Sequence, residues 1–240
     1  MVYTAACMTI ILIKMNMTNL PYKKSLIVPR CTSLKPTDQA NDIVNTILAS
    51  TASTPIDINN WPAEFPPTPR SQAYLVHDGA NIYVLYLAAP FEIRNEVTED
   101  LGPVADDNCV EIFLRKPGSP RYWNFEFNFA GYLNASSRVT RPRATRLDAV
   151  QRAEVLRYPL DAVSLSAAHS ELEGFTHALL VVIPLSLLDI ELHGLPTLLE
   201  GNLYSLSEKA PHPYYLTWSP INEVTPGFHR PEHFGYLILQ

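Results

Sequence analysis

The 240-residue sequence holds only 9 Gly and 3 Cys, and both shortages exclude chemistry. So few glycines leave no Walker-type or dinucleotide-binding loop, where several are needed for backbone N–H groups to approach a phosphate. No GxSxG nucleophile elbow occurs either. Cys7, Cys31 and Cys109 are odd in number and far apart, and none has a zinc-ligand spacing to another Cys or His. Scattered thiols suit a reducing compartment or small buried side chains, and Cys109, between Asn108 and Val110 in a strand pattern, reads as inert. Basic residues are also scarce. Lys and Arg total 18 against 24 Asp and Glu, a formal charge of −6, which argues against a nucleic-acid partner. No run reaches the roughly 18 apolar residues of a membrane-spanning helix, so no membrane partner is expected. The apolar stretch Met8–Ile13 has no basic segment before it and no clear cleavage pattern after it. With no convincing export signal, the expectation is a cytoplasmic location, or else an export signal that this sequence does not capture. Met8, Met15 and Met17 offer alternative starts, so residues 1–16 read as an extension and residues 17–240 as one domain.

What is abundant is proline, with 21 residues, alongside 47% apolar residues. Spaced prolines interrupt long helices and punctuate short strands, which disfavours a helical bundle. Residues 71–77 and 81–88 are β-rich runs joined by Asp78-Gly79-Ala80, a hairpin signal. Strands are predicted at 107–114, 122–131, 132–139, 175–183, 202–207, 214–218 and 234–239. The run 122–129 alternates strictly: Trp123, Phe125, Phe127 and Phe129 point one way, Tyr122, Asn124, Glu126 and Asn128 the other. Residues 38–48 suit a short helix with Ile43, Val44, Ile47 and Leu48 on one face, and 184–190 one or two helical turns starting at Pro184. Residues 61–69, with four prolines, must be an extended connector. The fold class is therefore all-β: an antiparallel β-sandwich with one or two short helices and an irregular N-terminal segment.

Three groups of residues carry chemistry. His229-Arg230-Pro231-Glu232-His233 spells an inverted zinc-peptidase motif, but Pro231 breaks the helix that such a site requires, so a loop is expected and no metal is assigned. Glu111 and Glu126 lie on consecutive strands and could face each other, the arrangement of a glycoside hydrolase or lyase. The row Tyr122, Asn124, Glu126 and Asn128 offers donors and acceptors suited to vicinal hydroxyls, or else is a solvated face or a network buried under another segment.

The segments 59–69, 105–114, 122–138, 212–221 and 226–239, in that order, resemble the family-9-like carbohydrate-binding domains found in Bacteroidetes-type bacteria. The resemblance spans roughly residues 17–240. It implies a sandwich like that of DOMON-like domains, and carbohydrate as the partner. It also implies non-catalytic binding in the service of polysaccharide or glycan use. A protein-interaction domain that has lost its sugar is the alternative. In such modules two Trp sandwich the ring while polar side chains bind its hydroxyls, which makes Trp61 and Trp218 the clamp candidates, Trp123 being core. Arg94, Glu111, Asn124, Glu126, Asn128 and Arg138 are the polar candidates. Asn202, Tyr204 and Lys209 align loosely with a further family motif. Calcium stabilises some relatives, with Asp78, Asp106 and Asp107 as possible ligands that read first as turn formers and caps, so no cofactor is assigned.

Overall fold

Strand patterns that are apolar on both faces need cover on both sides, and the fold supplies it in layers. The computed structural model describes residues 23–240 other than 191, 193 and 195, so the proposed extension 1–16 and Cys7 lie outside the described residues. Among the described residues, β1 (Ser25–Val28), β3 (Ile58–Asn59), β6 (Cys109–Arg115), β7 (Tyr122–Asn128), β8 (Leu133–Thr140), β9 (Arg143–Arg146), β12 (Thr197–Ser207), β13 (Tyr214–Thr217) and β14 (Gly235–Leu239) form one sheet. Its main order is β1-β14-β12-β6-β7-β8-β9, with β13 bridging β12 and β3. β2 (Thr54–Pro55), β4 (Arg70–His77), β5 (Asn81–Ala89), β10 (Leu156–Leu160) and β11 (His177–Pro184) form the second, in the order β10-β11-β5-β4-β2.

The expected sandwich is thus present, with local departures. β1 pairs with β14 in parallel, so part of the N-terminal segment expected to be irregular is a strand. Among the described residues there are three α-helices, α1 (Ala40–Ser50), α2 (Ala149–Glu154) and α3 (Ala162–Ala168). The helix expected at 184–190 is a single 3-10 turn, Leu185–Leu188, ended where Asp189 adopts the left-handed conformation at φ 52°. The hairpin at Asp78–Ala80 forms as predicted. Asp78 Oδ1 accepts from the backbone N–H groups of Ala80 and Asn81, and Gly79 takes φ 109°.

The inter-sheet core is built from alternate residues of both sheets, among them Leu75, Val84, Val181, Ile112, Trp123, Phe125 and Phe127. The other face of the smaller sheet is equally apolar. Tyr74, Val76, Leu85, Leu87, Leu180 and Val182 pack there against Ile43, Val44 and Ile47 of α1 and Leu165 of α3. That second cover explains the near-continuous apolar run in β11, where no alternation is visible. No helix among the described residues is long and apolar enough to cross a membrane.

Gly235 opens β14 where Trp218 and the Lys24 carbonyl crowd its α-carbon, leaving no room for a methyl group. Gly235→Ala should therefore lower unfolding stability by about 1–3 kcal/mol, the cost of overpacking. Chemical denaturation should show this as a lower midpoint at unchanged slope.

Candidate functional site

The polar row of β7 lies on the side of the large sheet away from the inter-sheet core. It is not a solvated surface: Tyr122, Asn124, Glu126 and Asn128 are all buried, as is Glu111 of β6. Loops cover this face. Asp107 accepts from the backbone N–H groups of Glu96 and Val97, and Asn128 Nδ2 donates to both Val97 O and Asp107 Oδ2. On the other flank Tyr204 Oη donates to Phe228 O, and the two rings stack at 4.2 Å. Beneath these loops Trp61, Phe113, Tyr122, Tyr204, Phe228 and Phe234 form a third apolar cluster.

Register decides which polar groups meet. Glu111 pairs with Glu126 across β6 and β7, and Glu126 with Asn134 across β7 and β8. Directly paired residues share a face, so the two carboxyl groups sit side by side, a like-charge arrangement that costs stability when both are ionised. Their surroundings are unequal. Glu126 accepts from Asn124 Nδ2 at 2.7 Å and from Asn134 Nδ2 at 2.8 Å. Asn124 Oδ1 in turn accepts from Ser136 Oγ and Arg138 Nε. Glu111 is 3% exposed, and its Oε2 has no hydrogen-bond partner among the described residues. Burial first, and the neighbouring Glu126 carboxylate second, push the Glu111 carboxyl well above its ordinary range. Burial also raises Glu126, opposed by its two amide donors and by Arg138. The two titrate as a pair that retains a proton where ordinary carboxyls have lost theirs.

A cavity of about 290 Å³ opens over this pair. Glu111 and Glu126 line it together with Arg138 and Arg141, Glu208, Tyr215, Phe228 and His229. His229 Nδ1 lies 2.9 Å from Tyr122 Oη. Burial, then Arg138, Arg141 and Arg230, drive its pKa down to about 3, so the ring is neutral across the physiological range. Burial and Glu208 raise the Tyr215 hydroxyl, which stays protonated. The chamber therefore combines carboxyl acceptors, guanidinium, imidazole and phenol groups, and an aromatic wall.

Of the residues expected from sequence, Glu111, Glu126 and Arg138 come together in the cavity, with Asn124 directly behind them. The others do not join them. Trp218 is 1% exposed in the inter-sheet core, with Lys24 Nζ over its ring, so it cannot stack on a ligand as expected. Trp61 is also buried, donating through Nε1 to Glu223 O and packing on Phe228. Neither ring shows the open face that a clamp needs; Phe228 and Tyr215 are the aromatic groups at the cavity. Arg94 pairs with Glu96 and approaches Asp107, away from the cavity lining. Asn128 is consumed by loop contacts, its Oδ1 accepting from Tyr132 N. Asn202 holds Ser219 and Leu203, Tyr204 lies under Phe228, and Lys209 pairs with Asp106. Asp78 and Asp107 are occupied by N–H donors, Asp78 with Tyr83 and Asn81 as well. Pro231–His233 is one 3-10 turn, not a helix, so the two histidines of the motif diverge: His229 meets Tyr122, while His233 faces Glu223 at 3.3 Å. Glu223, Glu232 and His233 are the one donor group among the described residues close enough to share a metal ion, and both carboxylates are exposed. The sequence reading missed Arg141, Glu208, Tyr215, Phe228 and His229 as cavity residues. They come from loops and strand ends whose approach depends on tertiary structure.

A carboxyl whose folded pKa is raised binds its proton more tightly folded than unfolded. Its stabilising contribution is complete below the ordinary value of 4.5 and is lost as pH rises through the folded value. Glu111→Gln removes this titration. At pH 8 the variant should be more stable than wild type by about 1–3 kcal/mol, the cost of an unsatisfied buried polar group, and thermal melts across pH 5–9 should show the wild-type decline flattened. His229 acts at the opposite end. Its lowered pKa withdraws stability as pH falls from 6.5 towards 3, so His229→Gln should flatten the acid arm of the same profile.

The sequence matches Carbohydrate-binding family 9 over residues 42–239. No protein with a curated description matches it. A candidate carbohydrate-binding protein from Bacteroides uniformis ATCC 8492 superposes with a TM-score of 0.76 at 27% identity, covering 91% of this chain and all of the other. A family 9 carbohydrate-binding module from Caldicellulosiruptor kristjanssonii, solved with glucose and with cellotriose, shares the fold at TM-score 0.54 and 13% identity. The match covers 90% of this chain and 96% or 94% of that module. With every described strand except β1, and all the cavity strands, inside the matched span, the chain belongs to carbohydrate-binding family 9.

Proposed function

We propose that the cavity over β6 and β7 binds one sugar unit non-covalently, in the service of glycan use. The observation that carries this reading is Glu111. Its carboxyl is buried, aimed into the cavity and unpartnered at Oε2 among the described residues, whereas the Glu126 oxygens are both engaged. A buried acceptor left open costs stability unless something donates to it, and a sugar hydroxyl is a donor of the right size. The volume, near the lower bound of small-molecule sites at about 300 Å³, suits one ring better than a long chain. Phe228 and Tyr215 supply apolar wall for the C–H face of such a ring, in place of the expected tryptophan pair.

The adjacent carboxyls also invite a second reading, glycoside hydrolysis, since one of two neighbouring acids is kept protonated. Against it, both oxygens of Glu126 are held by amide donors, which disfavours a nucleophile or a base.

Calorimetry with mono- and disaccharides, starting from glucose and the cello-oligosaccharides, should find saturable binding. Glu111→Ala should weaken it about 3-fold to 10-fold, the net worth of one hydrogen bond to a neutral group. Silence across neutral and acidic sugars would overturn the reading. Turnover of an aryl glycoside that is lost in Glu126→Gln would favour the hydrolase instead.

A further inference from the structure

On an acidic chain, the hairpin that walls one side of the cavity is basic. β8, β9 and the turn between them carry Arg138, Arg141, Arg143 and Arg146 within nine residues. Register sorts them. Arg146 pairs with Ser136, and Ser136 with Asn124, so Arg146 shares the cavity face of the sheet with Arg138. Arg141, in the turn between the strands, lines the cavity itself. Among the described residues no carboxylate lies within ion-pairing distance of Arg138, Arg141 or Arg146, although elsewhere Arg94, Arg115, Arg152 and Arg157 all have acidic partners. Arg138 spends its Nε on Asn124 Oδ1 and an Nη on the Arg141 carbonyl, which fixes the guanidinium plane beside the Glu126 network. The electrostatic effect already reaches the cavity, because Arg138 and Arg141 are among the charges that hold His229 neutral.

We infer that the sugar bound here carries an anionic substituent, carboxylate or sulfate, which Arg138 and Arg141 receive while the carboxyl pair on the floor takes its hydroxyls. The inference rests on the sugar-binding reading and adds the ligand class. The floor and the rim ask for different groups. Glu111 accepts from a hydroxyl, and a guanidinium matches a planar carboxylate or a sulfate by paired N–H donors. The opposing charges are Glu208 at the lining, which faces Tyr215, and the one that the carboxyl pair keeps when it holds a single proton. Arg146 extends the basic face from the cavity towards the exposed edge strand β9, whose four residues are all exposed, so a chain of acidic sugar units could continue there.

The test compares glucose, glucuronate and glucose 6-sulfate by calorimetry at about 20 mM and 300 mM salt, with sulfate and acetate ions as controls. At low salt at least one anionic sugar should bind about 10-fold more tightly than glucose, and the preference should shrink at high salt, as charge-assisted contacts at a partly exposed site do. The tighter of the two names the anionic group. The exposed pair Arg141→Gln and Arg146→Gln should reduce that preference to within about 2-fold, with an unchanged melting temperature. Equal affinity for glucose and both anionic sugars overturns the inference and leaves sugar binding standing. Free sulfate or acetate binding as tightly as the sugars overturns it too, by showing a plain anion site. Binding of none of them removes the sugar reading itself.

Discussion

Two carboxyl groups set opposite one another in a buried antiparallel pair form the constraint around which this face of the protein is organised. Glu111 and Glu126 cannot both ionise cheaply when buried at cross-strand distance, and leaving either without donors costs stability. The neighbouring side chains answer that demand in order. Asn124 and Asn134 donate to Glu126, Ser136 and Arg138 steady Asn124, and the loops over β6 and β7 bury the pair except where the cavity opens. The provision stops at Glu111. A local rule broken at one point, inside an otherwise satisfied network, is where a ligand is to be sought.

The same constraint explains why the sheet needs cover on its far side. A nine-stranded sheet buried only against its partner would leave the row from Tyr122 to Asn128 in water, and the carboxyl pair would then ionise normally. Instead Asp107 and Asn128 pin the segment around Val97, and Tyr204 and Tyr122 hold Phe228 and His229. The loops are thus fixed by hydrogen bonds to the sheet, and the cavity wall they form has a defined shape.

Much of this was legible in the sequence, and the limits have physical causes. Strict alternation in 122–129 assigned Trp123 and the phenylalanines to the core and the polar residues to the opposite face, because a strand allows no other arrangement. The hairpin at Asp78 and the face of α1 followed from equally local rules. Local rules also ruled out the zinc motif, since Pro231 and its neighbours permit a single tight turn only. They could not say which side chains return to the sheet from far along the chain. Trp61 and Trp218 were natural clamp candidates by residue type, yet burial in two different clusters leaves neither with a free face. β9, β10 and α2 escaped notice because they lie between 140 and 160, where exposed arginines and short runs carry no clear period. Tyr215 and Phe228 had no signal of their own, and His229 had only that of the zinc motif; the closing of loop 226–234 over β12 gives them their place at the cavity.

The most direct test of this account is a crystal structure of the protein grown with a sugar that saturates it in solution. The account predicts the ring between Phe228 and the carboxyl pair, with a ring hydroxyl within hydrogen-bond distance of Glu111 Oε2 and the Glu126–Asn124–Asn134 network unchanged. A sugar bound at another surface, with the cavity over Glu111 empty, would contradict it.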